Sequence, residues 1–251
     1  MDTSAEKEAS DPGTPQEIHP ASRKVCIADY LGVVPYERAL KLQQALALAR
    51  AEGSSRDVLL LLQHLSVFTM GRFRGEEDII VPAETLAREA IAVFPTNRGG
   101  GITYHGPGQL VGYPILSLRE HRLSVREYIW KLEATITKLL LDFDIHGYCD
   151  ADFPGVWVNG EKICSVGIHV RRGITMHGFA LNVNTNLRHF EYINPCGLRG
   201  KAMTSVSRVL GYAVEAEAII GPLLDSFSAI FGLEIERRDN ECLVTLDALS
   251  G

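Results

Sequence analysis

The chain has 251 residues, of which 46% are hydrophobic, so it can bury one substantial core and suits one large domain or two small ones. Its formal net charge of −6 argues against non-specific nucleic-acid binding, which depends on neutralising phosphates. No apolar run reaches the roughly 18 residues of a membrane-spanning helix, and the N-terminus lacks the charged-then-apolar pattern of a signal peptide. The five cysteines form no CxxC pair, which indicates reduced thiols rather than disulfides. We therefore expect a cytoplasmic protein with neither a nucleic-acid nor a membrane partner.

The N-terminal residues offer little that could be buried in a core. Residues 1–24 are rich in Ser, Glu, Asp and Pro, and we predict a disordered tail there. Because no convincing linker follows, residues 25–240 are predicted to form a single domain. Within it, apolar patterning predicts a strand at 25–30, a helix at 36–52 and a buried strand at 57–64.

The second half of the chain carries two local signals with well-defined geometry. Ser124 and Glu127 have the spacing of a capping box, which predicts a long amphipathic helix ending near Phe143. Asn159-Gly160 separates two apolar runs and predicts a β-hairpin. The strands of this hairpin are predicted at 155–158 and 162–170, and a second hairpin turns at Arg172-Gly173 into a strand at 174–183. A helix follows at 214–231, interrupted at Gly221-Pro222, and then a strand at 233–237. Together these elements predict one mixed α/β domain.

A glycine-rich segment runs from Arg98 to Tyr113 and contains six glycines. Glycine permits positive φ and lets a ligand lie directly against backbone N–H groups. The segment also contains the strand-like residues Ile102, Thr103 and Tyr104 and a stiffening proline, which a flexible linker would not need. We therefore predict a loop that cradles a ligand.

Two side chains in the second half are candidates for nucleophilic chemistry. Cys196 follows a proline and precedes a glycine in a turn-forming segment, which fits a reactive thiol and a buried structural thiol about equally. Lys162 starts the returning strand of the first hairpin, and ideal alternation places Lys162 and Cys164 on one face with Ser165 and Gly167 on the other. Because Cys164 lies between apolar residues, we interpret it as structural.

Two histidines, His105 and His177, each adjoin a glycine. They do not make a zinc site, because no third ligand follows at a suitable spacing, and we predict no metal site. Either histidine could serve as an acid or base or as a structural hydrogen-bond donor.

Four motifs occur in order along the chain: Arg98-Gly-Gly-Gly-Ile-Thr-Tyr-His105-Gly-Pro-Gly-Gln109, Lys162-Ile-Cys-Ser-Val-Gly167, His177-Gly-Phe-Ala-Leu-Asn182 and Asn194-Pro-Cys196-Gly197. Together they closely resemble the lipoyl(octanoyl) transferases of lipoate biosynthesis, over roughly residues 25–235. The resemblance implies an α/β (α+β) fold with a mixed β-sheet flanked by helices, as in the biotin and lipoate protein ligases. Residues 25–240 would then form the octanoyltransferase catalytic domain.

By the same resemblance, the chain transfers an octanoyl group from octanoyl-acyl carrier protein to a lysine of lipoyl domains, those of 2-oxoacid dehydrogenase E2 subunits and the glycine cleavage H protein. Cys196 corresponds to the acyl-thioester nucleophile of the family, and Lys162 to the lysine that lowers the pKa of that cysteine. No cofactor is implied, because the donor is already a thioester. The family's substrate-binding segments match Arg98, Gly99, Gly100, Gly101, Ile102, Thr103, Tyr104, His105, Ser165, Val166, Gly167, Gly178, Phe179 and Ala180.

An acidic carrier protein needs a local basic rim on an enzyme of net negative charge. The candidates that flank the motifs are Arg171, Arg172, Arg188, Arg199 and Lys201. Two other functions fit the same sequence less well. An ATP-dependent lipoate or biotin ligase on the same fold would need no cysteine nucleophile, and a non-enzymatic acyl-binding protein would show no turnover.

Overall fold

A computed structural model describes residues 23–73, 75–194 and 202–242. Within these residues, eight strands form a large mixed sheet and three more form a small sheet. The strands are β1 (Lys24–Val34), β2 (Asp57–His64), β3 (Val67–Met70), β4 (Ala92–Pro95), β5 (Ile102–His105), β6 (Gln109–Ile115), β7 (Tyr148–Cys149), β8 (Gly155–Val158), β9 (Glu161–Arg171), β10 (Ile174–Asn182) and β11 (Leu233–Asp239). The helices are α1 (Tyr36–Ala51), α2 (Ala83–Arg88), α3 (Val125–Leu141), α4 (Val206–Leu210) and α5 (Ala216–Phe231).

The large sheet is the central layer of the protein. Its strand order is β11-β1-β2-β6-β10-β9-β8-β7. Strand β1 runs parallel to both β11 and β2, and the other neighbours are antiparallel. Every residue of β2 is buried, as its continuous apolar run predicts for a strand covered on both faces.

Helices cover the two faces of this sheet. On one face, α3 and α5 bury residues such as Leu132, Ile136 and Phe227 in the main core. On the other face, α1 packs through Ala39 and Leu42. Helix α3 begins with the predicted capping box: the Ser124 hydroxyl accepts from the Glu127 backbone N–H, and the Glu127 carboxylate accepts from the Ser124 N–H.

The small sheet, in the order β4-β3-β5, lies over the part of the large sheet that contains β8 and β9. Phe68 and Tyr104 of the small sheet share a buried cluster with Trp157 of β8. The loop that precedes β5 continues this contact, since the Gly99 N–H donates to the Ile168 carbonyl of β9 at 2.9 Å. The glycine-rich segment is therefore fixed above the large sheet.

The predicted mixed sheet flanked by helices is confirmed. The predicted strands at 25–30 and 57–64 and both hairpins are present, and most element ends agree within one or two residues of those predicted. The predicted tail falls almost entirely on residues 1–22, which lie outside the described residues.

The predicted interruption of the last helix is wrong. Helix α5 runs continuously from Ala216 to Phe231 with Pro222 inside it. The proline removes one backbone hydrogen bond, but buried residues on both sides of it, including Ile219, Leu223 and Phe227, hold the helix against the core. Tertiary packing outweighs the local cost of the proline.

A buried charge network ties the end of α1 to the start of β2. The Asp57 carboxylate accepts from Arg50 Nε at 2.8 Å and contacts His121 Nε2 at 2.5 Å, and Arg50 also pairs with Glu120 at 2.8 Å. Burial opposes ionisation of Asp57, but the hydrogen bonds from His121 and Arg50 outweigh it and hold the pKa of this carboxyl below its ordinary value.

Replacing Asp57 by asparagine should lower the free energy of unfolding by about 3 kcal/mol near pH 7, because Arg50 and His121 lose a buried charged partner. A lowered carboxyl pKa stabilises the folded state above the unfolded-state pKa, and this contribution is lost as the pH falls through the folded-state value. Urea denaturation at pH 5 and pH 3, on either side of the ordinary Asp pKa of about 3.9, should therefore show a smaller pH effect in Asp57→Asn than in wild type. The exposed Asp225→Asn is the control and should match wild type at both pH values.

Candidate active site

A cavity of about 410 Å³ lies between the glycine-rich segment and strands β9 and β10. This volume is in the range typical of small-molecule sites. Every predicted substrate-binding residue except Tyr104 lines it, together with Lys162. His177 of the third motif lines it as well. Further lining residues that the motifs did not include are Tyr36, Tyr113, Ile129, Asp152, Phe153, Pro154, Ile168 and Met203.

The loop before β5 is held in place from two sides. On the side of the small sheet, the Gly71 N–H donates to the Gly101 carbonyl, and the Arg72 N–H donates to the Arg98 carbonyl, both at 3.1 Å. On the other side, the Gly99 N–H bonds to β9. A Cβ atom at Gly71 would lie 2.2 Å from the Gly100 carbonyl oxygen. Only glycine allows the backbone at position 71 to come this close to Gly100. Position 71 therefore sets how closely the loop packs against the end of β3.

Replacing Gly71 by alanine should displace this loop and lower kcat/KM by at least about tenfold, since small misplacements at a site are costly. The matched control is Gly221→Ala in α5, where an added Cβ meets no atom within 4 Å and the helix favours alanine. That variant should stay within about twofold of wild type in steady-state assays. Equal activity of the two variants would mean that the loop position does not matter for turnover.

Arg98 is buried in the cavity wall, and most of its donors are already engaged. Its Nε and Nη2 donate to the Thr69 hydroxyl at 3.3 and 2.9 Å, and Nη1 donates to the Gly99 carbonyl at 3.1 Å. Burial lowers the pKa of Arg98, with an opposing contribution from the Tyr36 and Tyr113 hydroxyls. No carboxylate of the described residues lies within ion-pair distance of it. The guanidinium therefore joins β3 to the loop and places one positive charge beside the cavity.

The two histidines that the sequence singled out both lie in the cavity wall. His105 Nδ1 bonds to the Gln109 side chain at 2.7 Å, and His177 Nε2 bonds to the Asn97 side chain at 2.8 Å. Burial lowers the pKa of His177 to about 3 and that of His105 well below its usual value. Both are neutral at physiological pH. Tyr104, by contrast, turns into the small-sheet cluster, where its hydroxyl meets Ser66 at 3.1 Å.

Lys162 lines the cavity and is only 7% exposed. Its Nζ is 5.2 Å from the centroid of the Trp157 ring. Its backbone N–H donates to the Ala202 carbonyl, and its carbonyl accepts from Thr204, both at 2.9 Å. These bonds fix Lys162 to the segment that follows position 201.

The expectation that Lys162 shares a face with Cys164 is wrong. The register between β8 and β9 shifts between Val156 and Trp157, so that one extra residue of β9, Ile163, is accommodated. As a result Lys162 lines the same cavity as Ser165, while Cys164 is buried in the main core. Burial raises the pKa of the Cys164 thiol far above its ordinary value, which supports its interpretation as structural.

The predicted nucleophile, Cys196, lies outside the described residues, as do Arg199 and Lys201 of the predicted basic rim. Arg171 and Arg172 are exposed where β9 turns into β10. Arg188 lies over the Tyr192 ring, 5.9 Å from its centroid.

The described residues contain neither a metal-binding cluster nor a membrane-spanning helix. No group of three or more His, Cys, Asp or Glu side chains in this part of the chain is arranged to hold a metal ion. None of the helices in the same residues has the length and apolarity needed to span a membrane.

Glu133 is a buried charged residue next to the site that no sequence motif indicated. It lies on α3, outside all four motifs, and its carboxylate accepts the Gly155 N–H at 2.7 Å beside Lys162. Its position on the buried side of an amphipathic helix was the only available signal, and a carboxylate there is unusual.

Comparisons with known proteins agree with this architecture. The family described as the lipoyl protein ligase A/B catalytic domain matches residues 35–228. By fold, the chain resembles lipoate-protein ligase A bound with ATP (TM-score 0.71, 16% identity, 88% of this chain and 92% of that one). It also resembles the bipartite lipoate protein ligase from Thermoplasma acidophilum, with a TM-score of 0.69 and 16% identity. That match covers 88% of this chain and 90% of the ligase chain.

The similarity in sequence is higher to proteins named octanoyltransferase. The one from Desulforamulus reducens is 42% identical over 85% of this chain and 94% of its own length. Those from Caldicellulosiruptor saccharolyticus and Solibacter usitatus are 43% and 44% identical over 86% and 84% of this chain, each over 94% of its own length. The chain therefore belongs to the octanoyltransferases, an acyltransferase group within the family of lipoyl protein ligase A/B catalytic domains.

Proposed function

We propose that this enzyme transfers an octanoyl group from octanoyl-acyl carrier protein to a lysine of lipoyl domains, through a thioester on Cys196. The acceptors would be the lipoyl domains of 2-oxoacid dehydrogenase E2 subunits and the H protein of glycine cleavage. The observation that carries the proposal is a cavity lined by Lys162, by the glycine-rich segment and by apolar residues such as Val166, Phe179 and Met203.

The cavity suits a medium-length acyl chain. Along β9, a rise of about 3.3 Å per residue separates the lining residues Lys162 and Gly167 by roughly 15 Å. The six methylenes of an octanoyl group, buried there, would contribute at most about 5 kcal/mol at roughly 0.8 kcal/mol each. These apolar contacts allow the cavity to bind the octanoyl chain, whose terminal carbon carries no charged group.

The first half of the reaction is a thioester exchange. The Cys196 thiolate attacks the carbonyl carbon of the donor thioester, and the bond from that carbon to the carrier sulfur breaks. The carrier leaves as a thiolate and takes a proton from the Lys162 ammonium. The products are acyl-Cys196, the carrier thiol and a neutral Lys162.

The second half forms the amide. The neutral amine of the acceptor lysine attacks acyl-Cys196, and neutral Lys162 accepts the proton that this nitrogen loses. The carbon–sulfur bond breaks, and the Cys196 thiolate and the Lys162 ammonium are restored. Exchange between thioesters is nearly isoenergetic and amide formation is downhill, so no nucleotide is needed.

The anchoring of Lys162 supports its pairing with Cys196. Lys162 is bonded to Ala202 and Thr204, which follow the segment that carries the cysteine. Asn194, just before that segment, donates to the Asp78 carbonyl at 2.7 Å. The cysteine thus belongs to a short stretch that is bonded to Asp78 just before it and to the cavity residue Lys162 just after it.

The test is octanoyl transfer in the absence of nucleotide. Purified protein, octanoyl-acyl carrier protein and an apo-lipoyl domain are incubated without ATP, and the lipoyl domain is weighed by mass spectrometry. We expect it to gain one octanoyl group. Activity that requires ATP and uses free octanoate would overturn the proposal in favour of a ligase, and binding without turnover would overturn it in favour of an acyl-binding protein.

A further inference from the structure

A buried carboxylate stands behind the hairpin that carries Lys162. Glu133 of α3 is only 8% exposed, and its Oε1 accepts the Gly155 N–H at 2.7 Å. Burial raises the pKa of Glu133, while the Gly155 bond and the charge of Lys162 act in the opposite direction. A carboxylate at this depth is costly unless a partner compensates its charge.

Gly155 brings the carboxylate and the ammonium together. A Cβ atom at position 155 would lie 2.5 Å from Lys162 Cε and 3.2 Å from its Nζ. The same residue gives its N–H to Glu133, so both charged groups touch one glycine. On the other side of the ammonium lies the Trp157 ring, whose face attracts cations.

Few other ionisable groups face this pair. The Cys149 thiol of β7 and the Cys164 thiol of β9 both sense the charge of Glu133, and burial is the main cause of the raised pKa of each, so both are protonated. Asp152 lines the same cavity as Lys162 and is exposed to solvent. Among the described residues, Glu133 is the buried carboxylate next to this lysine.

We propose that Glu133 is a positioning residue that holds Lys162 in its protonated form and in place between Gly155 and Trp157. The inference rests on the proposed function for its catalytic meaning. A protonated Lys162 favours the Cys196 thiolate before the first transfer. After that transfer the carboxylate makes the neutral lysine more basic, so that it recovers its proton from the acceptor amine.

The test measures the protonation of Lys162 directly. Trace acetic anhydride acetylates only neutral amines, and the extent of labelling at Lys162 is followed by peptide mass spectrometry from pH 6 to 11. In Glu133→Gln the amide oxygen still accepts from Gly155 but the charge is gone. Removing a neighbouring negative charge should move the midpoint of labelling to lower pH by about one unit.

Two further variants give a control and a second test for the shift of the labelling midpoint. Asp142→Asn removes an exposed carboxylate at the end of the same helix and should leave the midpoint unchanged. Glu133→Asp keeps the charge but withdraws it by one methylene, so its midpoint should lie between wild type and Glu133→Gln, and it carries the test if Glu133→Gln does not fold. A midpoint that stays at the wild-type value in the Glu133 variants overturns the inference. Because labelling needs no turnover, this result is independent of whether wild type transfers octanoate.

Discussion

Replacing Cys196 by alanine is expected to abolish octanoyl transfer, with kcat/KM falling by at least about 1,000-fold. In the proposed route the acyl group passes through the sulfur atom at this position, and alanine has no atom that can carry it. Intact-mass spectrometry after incubation with octanoyl-acyl carrier protein gives an independent readout. Wild type should gain one octanoyl group, and Cys196→Ala should gain none.

The other described thiols provide the controls. Cys149 is exposed on the edge strand β7 and does not line the cavity, so Cys149→Ala should retain both the adduct and the turnover. Cys164 is fully buried and held protonated by burial. A Cys196→Ala protein that kept the adduct and the turnover would nevertheless move the nucleophile to Cys164, because the charge of Lys162 acts on this thiol.

The sequence predicted those features that depend on a few neighbouring residues. The capping box at Ser124 needs only four residues to be recognised, and it starts α3 as expected. The Asn159-Gly160 turn has both residues at positive φ, which its two residue types favour, and it connects β8 to β9. The glycine-rich segment was recognisable because its composition suits close approach of backbone to a ligand.

Other features depend on contacts between distant segments. The shift in register that turns Lys162 into the cavity is decided by how β8 pairs with β9, which the alternation of one strand does not show. Only part of the predicted loop is a loop, because β5 and β6 occupy much of it and β5 pairs with β3. Glu133 is separated from Lys162 along the chain and meets it only because α3 packs behind the hairpin.

For the same physical reason the motif residues of the site could be predicted, whereas about a third of the cavity wall could not. Motif residues such as Gly99 and Gly167 stand in recognisable patterns. Tyr36 and Met203, in contrast, stand in no motif. Tyr36 at the start of α1 packs against Phe94 of the small sheet, with ring centroids 5.2 Å apart, and Met203 in a loop joins the cluster between the two sheets. No local pattern distinguishes them from residues of the general core.

The lysine that lines the cavity allows the two halves of the reaction to be separated. Lys162→Met keeps the length of the apolar stem and removes the charge, so both formation of the acyl-enzyme and its transfer to the amine should fall by about 100-fold or more. The same change leaves the Glu133 carboxylate without its neighbouring cation. A moderate loss of thermal stability is therefore expected as well, which differential scanning measures.

Lys162→Arg is the more informative variant. Arginine keeps a positive charge near Cys196 but does not give up its proton in proteins. In the first half-reaction it can still support the Cys196 thiolate, and the departing carrier thiolate takes its proton from water instead. In the second half-reaction it cannot serve as the base. In single-turnover experiments this variant should form the acyl-enzyme and then transfer the octanoyl group to the lipoyl domain about 100-fold more slowly than wild type, so that octanoyl-enzyme accumulates.

The affinity for octanoyl-acyl carrier protein should stay within about twofold of wild type in both variants. A large loss of that affinity would mean that Lys162 binds the carrier, whereas equal slowing of both half-reactions in Lys162→Arg would mean that it does not act as the base.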